Sequence, residues 1–197
     1  MKRKPLWLAA VSLVVIFAWA AYIYTLSATP KSTIGIATGA VVFSESGLPV
    51  LHWGQLNKFG DLGLKIKAQE FIDLTAAQLE QTVRYNDMSY TQIQAGLFLV
   101  TLNGQRVFLM AEPFEPQNLE VTQAVDFESD WIVVQRSSLL PSNWPEPSRG
   151  WVVLGSQMSD SLKERSLAAK KPVVRPERGG TVWLEKTSET NWMIIQP

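Results

Sequence analysis

Apolar residues come in short dense blocks separated by turn residues, and most blocks have the length of strands rather than helices. The pattern is clearest from Asn86 to Glu112, "NDMSYTQIQAGLFLVTLNGQRVFLMAE", which reads as strand, tight turn, strand. Asn103-Gly104 is the turn, since both residues tolerate the positive φ of a type I′ hairpin. The arms are near-continuous apolar runs, as expected of strands covered on both faces. "DWIVVQ" and "WVVLGS" repeat the pattern. "KPVVRP" is a strand ended by Pro176, and "GGTVWLEK" and "NWMIIQP" close the chain as a pair joined across "TSET". Upstream, "TIGIATGAVVF" and "PVLHWGQL" flank the turn residues "SESGLP". In "LKIKAQEF", Leu64, Ile66 and Ala68 alternate with Lys65, Lys67 and Gln69, the period of a half-exposed strand.

Helices are fewer. "LTAAQLEQTVRY" predicts one, with Thr75 as N-cap and Gln78 three residues on. "SDSLKERSLAAKK" predicts another, with Ser161 and Glu164 in the same spacing. "PFEPQNLEVTQAV" suits a short helix started by Pro116. Strands and helices together predict a β-rich layered domain of the α/β or α+β class, because a pure sandwich would lack the helices.

The first 26 residues break this pattern. From Leu6 to Leu26 there is no charge, and roughly 20 apolar residues are what a helix needs to cross a bilayer. Lys2, Arg3 and Lys4 precede the run, and Trp7, Trp19, Tyr22 and Tyr24 lie near its ends, where aromatic rings favour the lipid–water boundary. The expectation is a cytoplasmic tip (1–5), a single-pass transmembrane signal anchor (6–26), a linker (27–33) and an extracytoplasmic domain (34–197) in the cell envelope. Ala18-Trp19-Ala20 also fits a signal-peptidase site, so a cleaved leader is the alternative.

Charge and composition then narrow the chemistry. The 197 residues carry 18 basic and 18 acidic side chains; without Lys2, Arg3 and Lys4 the remainder holds 15 against 18. A whole-surface field suited to nucleic acid is absent. With 0 Cys, disulfides, thiolate metal sites and Cys nucleophiles are excluded. The single His, His52, has no G-x-S-x-G serine to serve, and no phosphate-binding glycine loop is present. Gly179-Gly180 reads as a plain turn. No catalytic residue, metal site or cofactor is assigned.

One resemblance adds to this reading. The hairpin from Asn86 to Glu112 resembles a segment of the metallo-β-lactamase-like domain of the competence protein ComEC, the DNA-uptake channel family. Glu112 falls where that family places an acidic metal ligand. "DFESDWIVVQRSS" resembles its strand leading to His-His-Gly-Ser, with Gln135 and Arg136 in place of the two His and Ser138 in place of the Ser. "WVVLGS" and "KPVVRPERGGTVWLE" resemble the elements that follow, and the likeness spans about half the chain, to Glu185. It implies a degenerate metallo-β-lactamase-like fold. Such hydrolases hold metal with His-x-His-x-Asp-His and further ligands, whereas a chain with one His and the loosely spaced Glu112, Glu115 and Glu120 lacks that set.

The functional expectation is a non-catalytic, membrane-anchored domain that binds an envelope protein, with no small-molecule ligand inferred. The alternatives are a nucleic-acid handling module in DNA uptake and a hydrolase with a carboxylate site. The candidate anion or partner contacts are Lys170, Lys171, Arg175 and Arg178, in the one basic concentration of the chain, and Trp144, set between prolines as a candidate exposed ring. Nucleic acid binding through them would be weak, since a few phosphate contacts alone give non-specific affinity.

Overall fold

The alternating blocks of the sequence become thirteen strands in two mixed sheets, seen in a computed structural model that describes residues 32–59, 70–113, 127–187 and 192–195, with Val15, Phe17 and Trp19. The chain divides into two units, Met1–Pro30 and Lys31–Pro197. In the first, Val15, Phe17 and Trp19 are helical and exposed. The rest of the predicted membrane anchor lies outside the described residues, among which no helix is long and apolar enough to cross a membrane. The strand read into "LKIKAQEF" before Glu70 and the helix read into "PFEPQNLEVTQAV" also lie largely outside them.

The second unit is a β-rich α+β domain. Its first sheet has the order β13-β12-β1-β2-β3-β4. These strands are β1 Thr33–Ala37, β2 Ala40–Ser44, β3 Val50–Trp53, β4 Phe71–Asp73, β12 Thr181–Lys186 and β13 Trp192–Ile195. β1 takes in Thr33, the last residue of the predicted linker. The second sheet runs β11-β10-β9-β8-β7-β6-β5. It comprises β5 Thr82–Tyr85, β6 Met88–Gln94, β7 Leu97–Leu102, β8 Gln105–Met110, β9 Trp131–Val134, β10 Gly150–Val153 and β11 Val173–Val174. β5 to β8 form an antiparallel meander, and β8, β9, β10 and β11 are parallel neighbours.

The two-residue turn between β7 and β8 is Asn103-Gly104, with φ of 46° and 76°, as the hairpin pattern predicts. The segment from Asn86 holds three strands rather than two, because Ala95-Gly96 makes a second turn ahead of β7. Both faces of β8, β9 and β10 are covered. Val107, Leu109, Trp131, Val133 and Val152 join Ile36, Phe43 and Leu51 of the first sheet in one core. Phe108, Met110, Ile132, Val134, Trp151 and Val153 point the other way into a second core closed by Leu162 and Trp144. Two buried faces are why these strands read as unbroken apolar runs.

The helix predicted over 74–85 does not form. Leu74–Ala76 is a single 3-10 turn whose Asp73 carboxylate accepts from the Thr75 amide at 2.9 Å, and Glu80 sits at a φ of 60°. A left-handed residue cannot continue a helix. From Thr82 the chain pairs with β6 instead, Thr82 and Thr91 sharing a hydroxyl hydrogen bond of 2.8 Å while Val83 and Tyr85 pack on the inter-sheet core. Sheet pairing outweighs a capping box here.

Helix α1, Asp160–Ala169, does form, but its cap is Ser159, not Ser161. The Ser159 hydroxyl accepts from the Leu162 amide at 3.3 Å, and this frame turns Leu162 into the outer core. Arg165 fastens the Pro-rich loop to the helix. Its guanidinium donates to the Pro141 carbonyl at 3.1 Å and the Trp144 carbonyl at 2.7 Å, and lies 5.9 Å from the Trp151 ring centre. Arg165→Ala is expected to cost about 2 kcal/mol by urea titration, and Arg165→Lys to recover little, because one ammonium cannot reproduce the planar fork.

Candidate functional site

Four parallel strands end on one edge of the second sheet. β8 passes into Ala111 and Glu112, β9 into Gln135 and Arg136, β10 into Leu154, Gly155 and Ser156, and β11 into Arg175. The ladder continues one step past the strands, with the Gln135 amide donating to the Met110 carbonyl and the Leu154 amide to the Val134 carbonyl, both at 2.9 Å. The β1–β2 turn closes on this edge through the Gly39 amide, which donates to the Leu154 carbonyl at 3.0 Å. The carboxyl edge of parallel strands is where such sheets bind ligands, because loops leave the strands there and helices begin there.

A pocket of about 330 Å³ opens at this edge, lined by Arg136, Ser137, Ser138, Gly155, Ser156, Gln157, Met158 and Ser159. The Ser137 hydroxyl organises it, accepting from the Ser159 amide at 2.7 Å and donating to the Gln157 carbonyl at 3.5 Å. Arg175 supports the opposite wall, donating to the Ser156 carbonyl at 3.3 Å. Ser159 is also the cap of α1, so the positive end of the helix dipole adjoins the pocket. Just beyond it, Asp160 is held below the ordinary carboxylate range by the hydrogen bond and charge of Lys163, 2.6 Å away.

The lining thus offers one guanidinium, hydroxyls, a carboxamide and backbone groups. These suit a carboxylate or another polar anion held by hydrogen bonds. The described lining supplies no carboxylate or imidazole, the usual general bases. Among the described residues no three His, Asp or Glu side chains gather as a metal would need.

The basic residues singled out from sequence do not form one patch. α1 is 10 residues long, about 15 Å, and carries the chain from the carboxyl edge back to the amino edge. Lys170 caps its far end at a φ of 53°, with Lys171 beside it. β11 then returns parallel to β10 and delivers Arg175 to the pocket wall, while Arg178 lies exposed in the following turn. Trp144 is buried, which overturns the exposure expected of it. Its ring packs edge-on against Phe108 and Phe127 at 5.5 and 4.7 Å. Prolines on both sides shape the loop without exposing the ring.

His52 is elsewhere. It sits on β3 in register with Asp73, its Nδ1 3.2 Å from the Gly54 carbonyl. Glu112 is exposed at the end of β8, and Glu115 and Glu120 lie outside the described residues. Of the positions carrying the family resemblance, Arg136 and Ser138 line the pocket and Gln135 precedes them just past the end of β9. The sequence reading missed Ser137, Ser156, Gln157 and Ser159. Their signal was two serine-bearing stretches, "QRSS" and "GSQMS", each following a buried strand. The chain matches no protein-family model, no curated protein and no solved structure.

Proposed function

We propose that the chain is a membrane-anchored extracytoplasmic domain that binds an envelope protein and performs no catalysis, and that the partner inserts an acidic group into the carboxyl-edge pocket. One observation carries this reading: Arg136 and a ring of hydroxyls line that pocket, with Arg175 behind one wall. The resemblance to the ComEC hydrolase domain supports a degenerate metallo-β-lactamase-like fold, in which Gln135 and Arg136 stand at metal-ligand positions and turn a cation site into an anion site. The division of the basic residues between two edges weighs against the nucleic-acid module, since phosphates along a strand need a continuous track.

The test uses the full chain in the membranes of the cells that make it, with a photoreactive side chain at Ser138. A discrete protein adduct is expected, and Arg136→Glu should cut its yield at least about tenfold, the usual order for reversing a charge in a contact. The same probe at Leu167, 78% exposed on α1, should give no adduct. Adducts from Leu167 but not Ser138 would overturn the pocket as the contact surface. An adduct removed by nuclease would turn the reading towards nucleic acid.

A further inference from the structure

Away from the pocket, the carboxyl group of Glu45 is buried where the two sheets meet. Glu45 follows β2 directly and is 3% exposed, and its Oε2 has no hydrogen-bond partner among the described residues. Three elements face it: the β5–β6 turn with Asp87, the β7–β8 turn with the backbone amide of Asn103, and β12 with Lys186. Asp87 and Lys186 are the charged groups acting on it, and Asn103 contributes no titratable group. Lys186 does not simply neutralise Glu45, because its ammonium donates to the Asn103 carbonyl at 3.0 Å. The Asn103 amide in turn donates to the Asp87 carbonyl at 3.1 Å. One small cluster therefore joins β2 and β12 of the first sheet to two turn tips of the second.

We propose that Glu45 is a protonation-controlled latch: as the neutral acid it holds the β5–β6 and β7–β8 turns against the first sheet, and as the carboxylate it loosens them. A neutral carboxylic acid tolerates a dry site facing Asp87, whereas a carboxylate there loses its hydration and meets a like charge. Burial first, and Asp87 second, push the Glu45 carboxyl above its ordinary value, against smaller opposing effects of Asn103 and Lys186. The sign follows by linkage. A folded value above the unfolded one makes the native state bind the proton more tightly, so the stabilisation is complete below the ordinary carboxylate range and is lost as pH rises through the raised value.

The experiment is amide hydrogen exchange on the full chain across pH, corrected for intrinsic rates, read at Asn103 and Lys186. Their amides donate to the Asp87 and Ser32 carbonyls. In the native sequence, protection at both should fall severalfold as pH rises through a midpoint above the ordinary carboxylate range. Glu45→Gln keeps the shape without the titration, and its protection should not change with pH. Asp87→Asn should move the midpoint to lower pH, because the like charge is gone. If Glu45→Gln does not fold, a carboxyl NMR titration of Glu45 in the native sequence decides instead. A Glu45 midpoint in the ordinary range, or equal pH profiles for the native chain and Glu45→Gln, would overturn the latch.

Discussion

Trp151→Ala is expected to remove about 3–5 kcal/mol of stability, the usual cost of truncating a large core aromatic. Trp151 is fully buried on β10, between the parallel neighbours β9 and β11. Its ring belongs to the outer core that α1 closes through Leu162, and Arg165 lies against it. Truncation leaves a hole under the helix that neighbouring strands cannot fill, because their hydrogen-bonded ladders fix their positions. Global stability of a domain is about 5–15 kcal/mol, so the variant sits near the threshold of folding. At roughly 2–4 °C per kcal/mol for a chain of this size, the melting temperature should drop by about 6–20 °C. Urea titration should show a lower midpoint with an unchanged slope, and Trp151→Phe should lose much less. A loss under about 1 kcal/mol for the alanine variant would mean that α1 does not pack on this strand.

The second large effect comes from a backbone contact. Gly54 follows β3 directly at a φ of 84°, and a Cβ there would lie 2.4 Å from the Gly39 carbonyl oxygen and 2.9 Å from the Ala40 Cα. Both are backbone atoms, so no side-chain rotation relieves the clash. Gly54→Ala should cost about 1–2 kcal/mol for the left-handed geometry, and on the order of 1–3 kcal/mol more for forcing the β1–β2 turn aside. Gly47 separates the two contributions. Its φ is 82°, but no atom lies within 4 Å of its added Cβ, so Gly47→Ala should show the conformational cost alone. Equal losses in the two variants by chemical denaturation would show that the close approach has no energetic weight. Because the Gly39 amide also holds the Leu154 carbonyl, Gly54→Ala should additionally disturb the pocket edge, seen as altered amide shifts at Gly155 and Ser156.

The difference between the two predicted helices shows where local signals stop. Thr75 with Gln78, and Ser161 with Glu164, have the same spacing and the same cap chemistry. The second lies in a real helix because a buried Leu162 anchors one face to the outer core. The first fails because Val83 and Tyr85 find an inter-sheet core at alternate positions and β6 supplies the hydrogen bonds. A capping box is worth about 1 kcal/mol, less than the gain from pairing a four-residue strand over a core. Even in the true helix the cap lies two residues earlier than the pattern placed it, since burial of Leu162 sets the frame.

By itself the amino-acid sequence determined what acts within a few residues. It specified the Asn103-Gly104 turn, the doubly buried strands within "DWIVVQ" and "WVVLGS", the closing strand pair, and the lack of thiols and of a histidine cluster. These follow from backbone geometry, apolar period and side-chain inventory, which need no knowledge of distant neighbours. Tertiary structure alone decided that Trp144 is buried, that Lys170 and Arg175 part to opposite edges, and that "QRSS" and "GSQMS" share one pocket. It also placed Glu45 beside Asp87 and Asn103, and Lys186 on a carbonyl 83 residues away in the chain. The physical reason is that a sheet brings strands together by hydrogen-bonding partner and register, and a crossover helix reverses the chain between neighbours. The surroundings of a residue at a strand end are therefore set by segments far from it in sequence, and local pattern carries no record of them.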